Sequence, residues 1–98
     1  MTLADVPISV SCDADPGGGW HCAVVVGTDA DATRHDVSLA AATRDELAPG
    51  ADAETLVRAS FVFLLEREPR ESIMHAFELP KIGRFFPEYP DEIGRRLR

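Results

Sequence analysis

The residue types able to hold a metal ion or run a nucleophilic reaction are Cys12, His21, Cys22, His35 and His75. A structural zinc site wants ligands in close pairs such as Cys-x₂-Cys. His21 and Cys22 are adjacent, and adjacent residues of a strand point to opposite faces, so they cannot share one tetrahedron. A Cys22–His35 nucleophile and base would need open access and an oxyanion site. The surrounding pattern instead turns both residues toward a core. No metal, cofactor or catalytic residue is therefore expected.

The remaining polar motifs are equally bare of chemistry. Asp13-Ala14-Asp15 and Asp29-Ala30-Asp31 resemble the start of calcium loops. Neither continues with the glycine, further oxygen ligands and terminal Glu that such a loop needs. Gly17-Gly18-Gly19 leads into a strand, whereas a phosphate-cradling loop leads into a helix N-terminus. The basic ending Gly94–Arg98 suits the last turn of a helix, where cations meet the negative end of the dipole.

Charge narrows the function classes further. The formal net charge is −7, and all of it falls in residues 1–65, while residues 66–98 sum to zero. An acidic field repels phosphate backbones, so nucleic acid is not an expected partner. The longest uninterrupted apolar run, Phe61–Leu65, is far too short to span a bilayer. The first residues, MTLADVP, lack the basic cluster and apolar run of a secretory signal. A bacterial cytoplasm is the expected address, with both cysteines as thiols.

The elements that would position these residues follow from periodicity. Val6, Ile8, Val10 and Cys12 alternate with polar positions, as do Trp20–Thr28 and Arg34–Leu39, each reading as a half-buried strand. Asp13–Gly19 and Thr28–Thr33 are the turns between them. Setting Cys12 opposite Trp20 aligns Val10 with Cys22, Ile8 with Val24 and Val6 with Val26. Setting Thr28 opposite Thr33 aligns Val26 with His35, Val24 with Val37 and Cys22 with Leu39. Both pairings put every apolar residue on one face. In this register Cys12 and Cys22 lie on a diagonal, roughly 7–8 Å apart, and cannot be bridged; a shift of two positions would make them opposed.

The helical part begins with Thr43-Arg44-Asp45-Glu46, which has the form of a capping box opening one turn that Pro49-Gly50 ends. Asp52 then caps the main helix, with Leu56, Val57, Ser60, Phe61, Leu64 and Leu65 as its inward stripe. Burial of such large side chains contributes about 1.5–3 kcal/mol each. Pro69 ends this helix and opens a second, Pro69–Phe77, with Ile73, Met74 and Phe77 inward. Pro80 opens a third carrying Ile82, Phe85 and Phe86, and Pro90 a last one carrying Ile93 and Leu97. The expected fold is α+β, a single domain. A three-stranded antiparallel meander (residues 1–42) packs on one main helix, with short C-terminal helices (residues 43–98 forming the helical part).

With F-x-F-L-L-E-R-E-P at Phe61–Pro69 and F-x-L-P-x-I-x-x-F-F-P-E-Y at Phe77–Tyr89, the chain resembles a group of short prokaryotic proteins with no assigned function. The resemblance covers about half the chain and implies a strand region followed by this helical ending. It carries no chemistry. Antitoxins of the HicB type share the meander-plus-helix architecture, but their sequence pattern is not matched here.

Large apolar residues beyond the main helix's stripe suggest a partner surface: Val62, Phe85, Phe86 and Tyr89. The leading expectation is a small non-enzymatic interaction or regulatory module, binding a protein partner or a second copy of itself. Alternatives are a small-molecule binder or enzyme with a site near His21 and His35, and an acidic nucleic-acid mimic acting through Asp29 and Asp31. The opposing reading of the aromatics is that the C-terminal helices cover them as core.

Overall fold

The computed structural model describes residues 7–28 and 30–97. Strict alternation produces three strands, β1 (Ile8–Ala14), β2 (Trp20–Val26) and β3 (Thr33–Leu39), paired antiparallel in that order. Cys22, Val24, Val26, His35, Val37 and Leu39 are buried on one face. Val6, Asp29 and Arg98, which figured in the expected strand start, acidic turn and basic ending, lie outside the described residues.

Both hairpins differ in register from expectation, each by two positions. Cys12 faces Cys22, Val10 faces Val24 and Ile8 faces Val26. Cys22 faces Val37, Val24 faces His35 and Val26 faces Thr33. An even shift keeps every side chain on its face, which explains why facial pattern alone could not fix the register. Turn chemistry fixes it. In the first turn Gly18 and Gly19 take φ of 97° and 82°, and the Asp15 N–H donates to Gly19 O at 2.9 Å. The chain therefore reverses within Asp15–Gly19 and leaves Asp13 and Ala14 free to pair with His21 and Trp20. A side chain at Gly19 would strike Leu39 O. In the second turn Gly27 takes φ 98° just after β2 ends at Val26, its N–H still donating to Pro7 O at 2.8 Å. A Cβ there would collide with the Arg70 guanidinium.

The register shift also joins the cysteines. Cys12 and Cys22 are directly opposed with Cα atoms 4.0 Å apart, and they form a disulfide. The Cys12 N–H points away from β2, donating to Glu54 Oε2 at 3.1 Å. The pair is thus of the non-hydrogen-bonded kind, whose side chains lie closest. The expectation of two thiols is corrected.

After β3 comes helix α1 (Ala41–Leu47). It starts earlier than the capping box implied: Ala40 is the N-cap, without a side-chain bond, and Thr43 lies inside the helix. The alanine run Ala40–Ala42 propagates helix well enough to move the start. Helix α2 (Ala53–Leu65) has Asp52 at its N-cap position and buries the whole expected stripe against the sheet. Phe63, on its other side, is also fully buried.

The segment read as a helix over Pro69–Phe77 is not one. A single 3₁₀ turn, Arg70–Ser72, gives way to extended chain at Ile73 and then to β4 (Ala76–Glu78), parallel to β3. The sheet is therefore mixed and four-stranded, in the order β1-β2-β3-β4, rather than a three-stranded meander. The open edge of β3 captures this segment: the Asp36 N–H donates to His75 O at 2.6 Å, and the His35 ring bonds Met74 O at 2.7 Å. Ile73 and Phe77 are buried as expected, but from extended backbone.

A 3₁₀ turn, Leu79–Lys81, runs into α3 (Ile82–Phe85), and α4 (Tyr89–Arg96) closes the fold. Helix α4 has Asp91 and Glu92 in its first turn and Arg95 and Arg96 in its last, as the dipole favours. No helix among the described residues is long and apolar enough to cross a membrane.

Candidate functional site

The two histidines proposed as a joint site lie on opposite faces of the sheet. His21 is exposed on the outer face, its Nδ1 3.8 Å from Asp15 Oδ2. His35 is 3% exposed on the inner face. Its Nδ1–H donates to Met74 O at 2.7 Å, and Nε2 meets Thr33 Oγ1 at 2.9 Å. The ring stacks on His75 at 5.9 Å and tilts against Phe61 at 5.3 Å. Burial pulls its pKa below the ordinary value, the Met74 carbonyl opposes, and His75 adds to the lowering. A neutral ring with both nitrogens engaged is a staple between β3 and the 74–75 segment rather than a base. Cys22 faces Val37 and is bonded to Cys12, so it offers His35 no nucleophile. Among the described residues no cluster of His, Cys, Asp or Glu is placed to hold a metal ion.

The four expected partner-surface residues divide. Tyr89 is core: it is 1% exposed, its hydroxyl is 2.6 Å from Ser60 Oγ, and its ring packs edge-on to Phe63 at 5.2 Å. Desolvation pushes its phenol pKa up, although the Ser60 bond pulls the other way. Phe86 packs edge-on to Phe63 at 6.0 Å and is half-buried. Val62 is half-buried as well. Arg67, 3.6 Å above the Phe63 ring, completes the cover on that side. Only Phe85 projects, at 61% exposure. Phe86 is the C-cap of α3 and turns out of the helix to pack on Phe63, whereas Phe85, the last helical residue, is left facing solvent.

Phe85 stands at the lip of an apolar groove of about 310 Å³. The groove is lined by Leu64 of α2 and Glu68 just beyond that helix, by Ser72, Ile73, Met74 and Phe77, and by Ile82, Phe85 and Phe86. Three breaks in regular structure build it. Pro69 stops the continuation of α2, the 73–75 chain runs extended to reach β3, and Phe86 leaves α3 at φ −131°, ψ 88°. The volume lies at the low end of the range for specific ligand sites, roughly 300–1,000 Å³. It accommodates one large apolar side chain.

Among the described residues, Glu68 is the only charged one in the groove's lining. Its apolar surroundings raise the carboxyl pKa by desolvation, and it has no ion-pair partner among the described residues. On the surface beside Phe85, Lys81 and Arg84 likewise have none. Glu66, in contrast, is held below the usual carboxylate range by the Arg96 guanidinium, and Arg67 bonds Glu88 at 3.0 Å. The polar surface around α4 is paired off, while the groove's is not.

Of the groove residues, Phe85 and Phe86 were visible as surplus aromatics. Glu68 was missed, although it follows Leu64 by four positions; it lies just beyond the end of α2, with its N–H donating to Leu64 O at 2.9 Å. Met74 was assigned inward on a helix that does not form. Comparison with protein-family models, curated proteins and solved structures finds no match to this chain.

Proposed function

We propose that this chain is a small non-enzymatic protein-interaction module whose contact surface is the groove between the end of α2 and α3. Its occupant is a large apolar side chain projecting from a protein surface, with a basic residue beside it. The observation that carries this reading is the combination inside one groove of apolar walls and a single unpaired carboxylate, Glu68. An apolar anchor fills the cavity, and the neighbouring cation supplies the partner that Glu68 lacks. The earlier surface of Val62, Phe85, Phe86 and Tyr89 contracts to Phe85 and Phe86.

The two stretches resembling short prokaryotic proteins supply most of the groove: Leu64 and Glu68 come from the first, Phe77, Ile82, Phe85 and Phe86 from the second. Membership in that group is part of the proposal. On address, the Cys12–Cys22 disulfide favours an oxidising compartment over the cytoplasm expected from the sequence.

Methyl NMR with the blocked dipeptide acetyl-Phe-Arg-amide as probe tests the reading. Resonances of Met74, Ile73 and Ile82 are expected to shift saturably, and Glu68→Gln to weaken the binding. Absence of any response at these three residues would remove the groove from consideration.

A further inference from the structure

We infer that the occupant of the groove is a second copy of this chain, each protomer's Phe85 entering the groove of the other about a two-fold axis. This rests on the groove being a protein-contact surface, and it names the partner.

Knob and hole lie side by side. Phe85 is the one large apolar residue exposed among the described residues, and it forms the lip of the cavity it would fill in another molecule. A two-fold axis beside such a pair satisfies both copies at once, because an isologous contact sets the same patch against itself. A one-sided partner could fill the groove and still leave Phe85 in water.

The charges obey the same symmetry. Glu68 sits in the hole, while Lys81 and Arg84 flank the knob, and none of the three has an ion-pair partner within its own protomer among the described residues. Exchange of Phe85 carries one copy's Lys81 and Arg84 toward the other's Glu68, twice per dimer. The larger field points the same way. Residues 1–65 carry the entire −7, and residues 66–98, which supply all of the groove but Leu64, sum to zero. Two such molecules meet without net repulsion only through this end.

Self-association through the longer sheet edge, β1, is obstructed at Cys12. Strand β1 pairs on one side only, but its Cys12 N–H is taken by the Glu54 carboxylate, which sits where an added strand would dock.

Sedimentation velocity over a concentration series, with near-ultraviolet circular dichroism as the check on folding, tests the inference. The wild type is expected to dimerise. Phe85→Asp is expected to raise the dissociation constant roughly 30-fold or more, as loss of a central aromatic anchor does. Phe85→Ser serves if the Asp variant misfolds. Charge reversal gives an independent arm: Glu68→Arg alone and the Lys81→Glu/Arg84→Glu pair alone each weaken self-association, and mixing the two restores a 1:1 heterodimer. A wild-type monomer, a Phe85 variant that dimerises as tightly as wild type, or charge variants without effect would each overturn the inference. If the wild type is monomeric and acetyl-Phe-Arg-amide still shifts the Met74 methyl, self-pairing fails while the binding surface stands. A monomer with no shift removes both.

Discussion

His35 and Glu68 are ionisable groups pressed among apolar neighbours, and burial moves them in opposite directions. The folded-state pKa of His35 lies below its ordinary 6.5. As pH falls, the unfolded chain takes up the proton first, so the stability held by the neutral ring is complete above that value and lost progressively below it. Groups facing the ring are Thr33, the Met74 carbonyl, Phe61 and His75, with no carboxylate among them to compensate. Glu68 works against this trend: its pKa is raised when folded, so its charge weighs on the fold at higher pH and is relieved as pH falls toward the carboxylate range. The prediction is a fall in unfolding free energy between about pH 7.5 and pH 5.5, above the range where most carboxylates titrate. His35→Gln, which can still donate to Met74 O, is expected to flatten that slope in urea titrations. An unchanged slope would mean that the imidazole does not control it.

At the scale of elements, β1 is the least secured part of the sheet. It has one strand neighbour, and its inward residues Ile8, Val10 and Cys12 are only half-buried, whereas Val24 and Val37 in the next two strands are fully covered. The Cys12–Cys22 bond ties it down. Two cysteines ten positions apart close a short loop, so reduction, or the Cys12→Ser/Cys22→Ser pair, is expected to cost about 2–3 kcal/mol. The loss should be local first: amides of Ile8–Ala14 exchange faster than those of α2 in hydrogen-exchange measurements. Uniform protection across β1 and α2 after reduction would show that the bond does not hold the edge. This bond also marks the limit of what the sequence discloses. Alternation assigned every strand residue to its face, because a period of two survives any even shift. It could not place Cys12 opposite Cys22, because that register depended on Gly18 and Gly19 adopting positive φ. Helix α2 was legible from its stripe, since thirteen residues hold several helical repeats. Strand β4 was not, because its three residues are extended only where the β3 edge and the His35 ring claim the carbonyls before it. Glu68, four positions after Leu64, was within reach of the sequence; the groove beside it was not, because Ser72, Ile73, Met74 and Phe77 in its lining come from that unforeseen segment.

At the scale of the whole molecule, the division of charge separates self-pairing from docking of a basic partner on the acidic strands. Two bodies of net charge −7 repel at long range, and added salt screens that repulsion over a Debye length of about 10 Å at 0.1 M. The local pairs that Glu68 would make with Lys81 and Arg84 pull in the other direction, but exposed pairs of this kind contribute only about 0–1 kcal/mol each and are themselves screened. Burial of Phe85 is indifferent to moderate salt. The expected balance is therefore a dimer whose dissociation constant stays level or tightens as sodium chloride rises from about 0.05 M toward 0.3 M. Capture of a basic protein by the acidic face, as a nucleic-acid mimic would do, must instead weaken steeply over the same range, because each released counterion then costs affinity. Sedimentation of the pure chain across that series decides the sign. Self-association that collapses with salt would mean that attraction between opposite charges, not burial of Phe85, carries the contact.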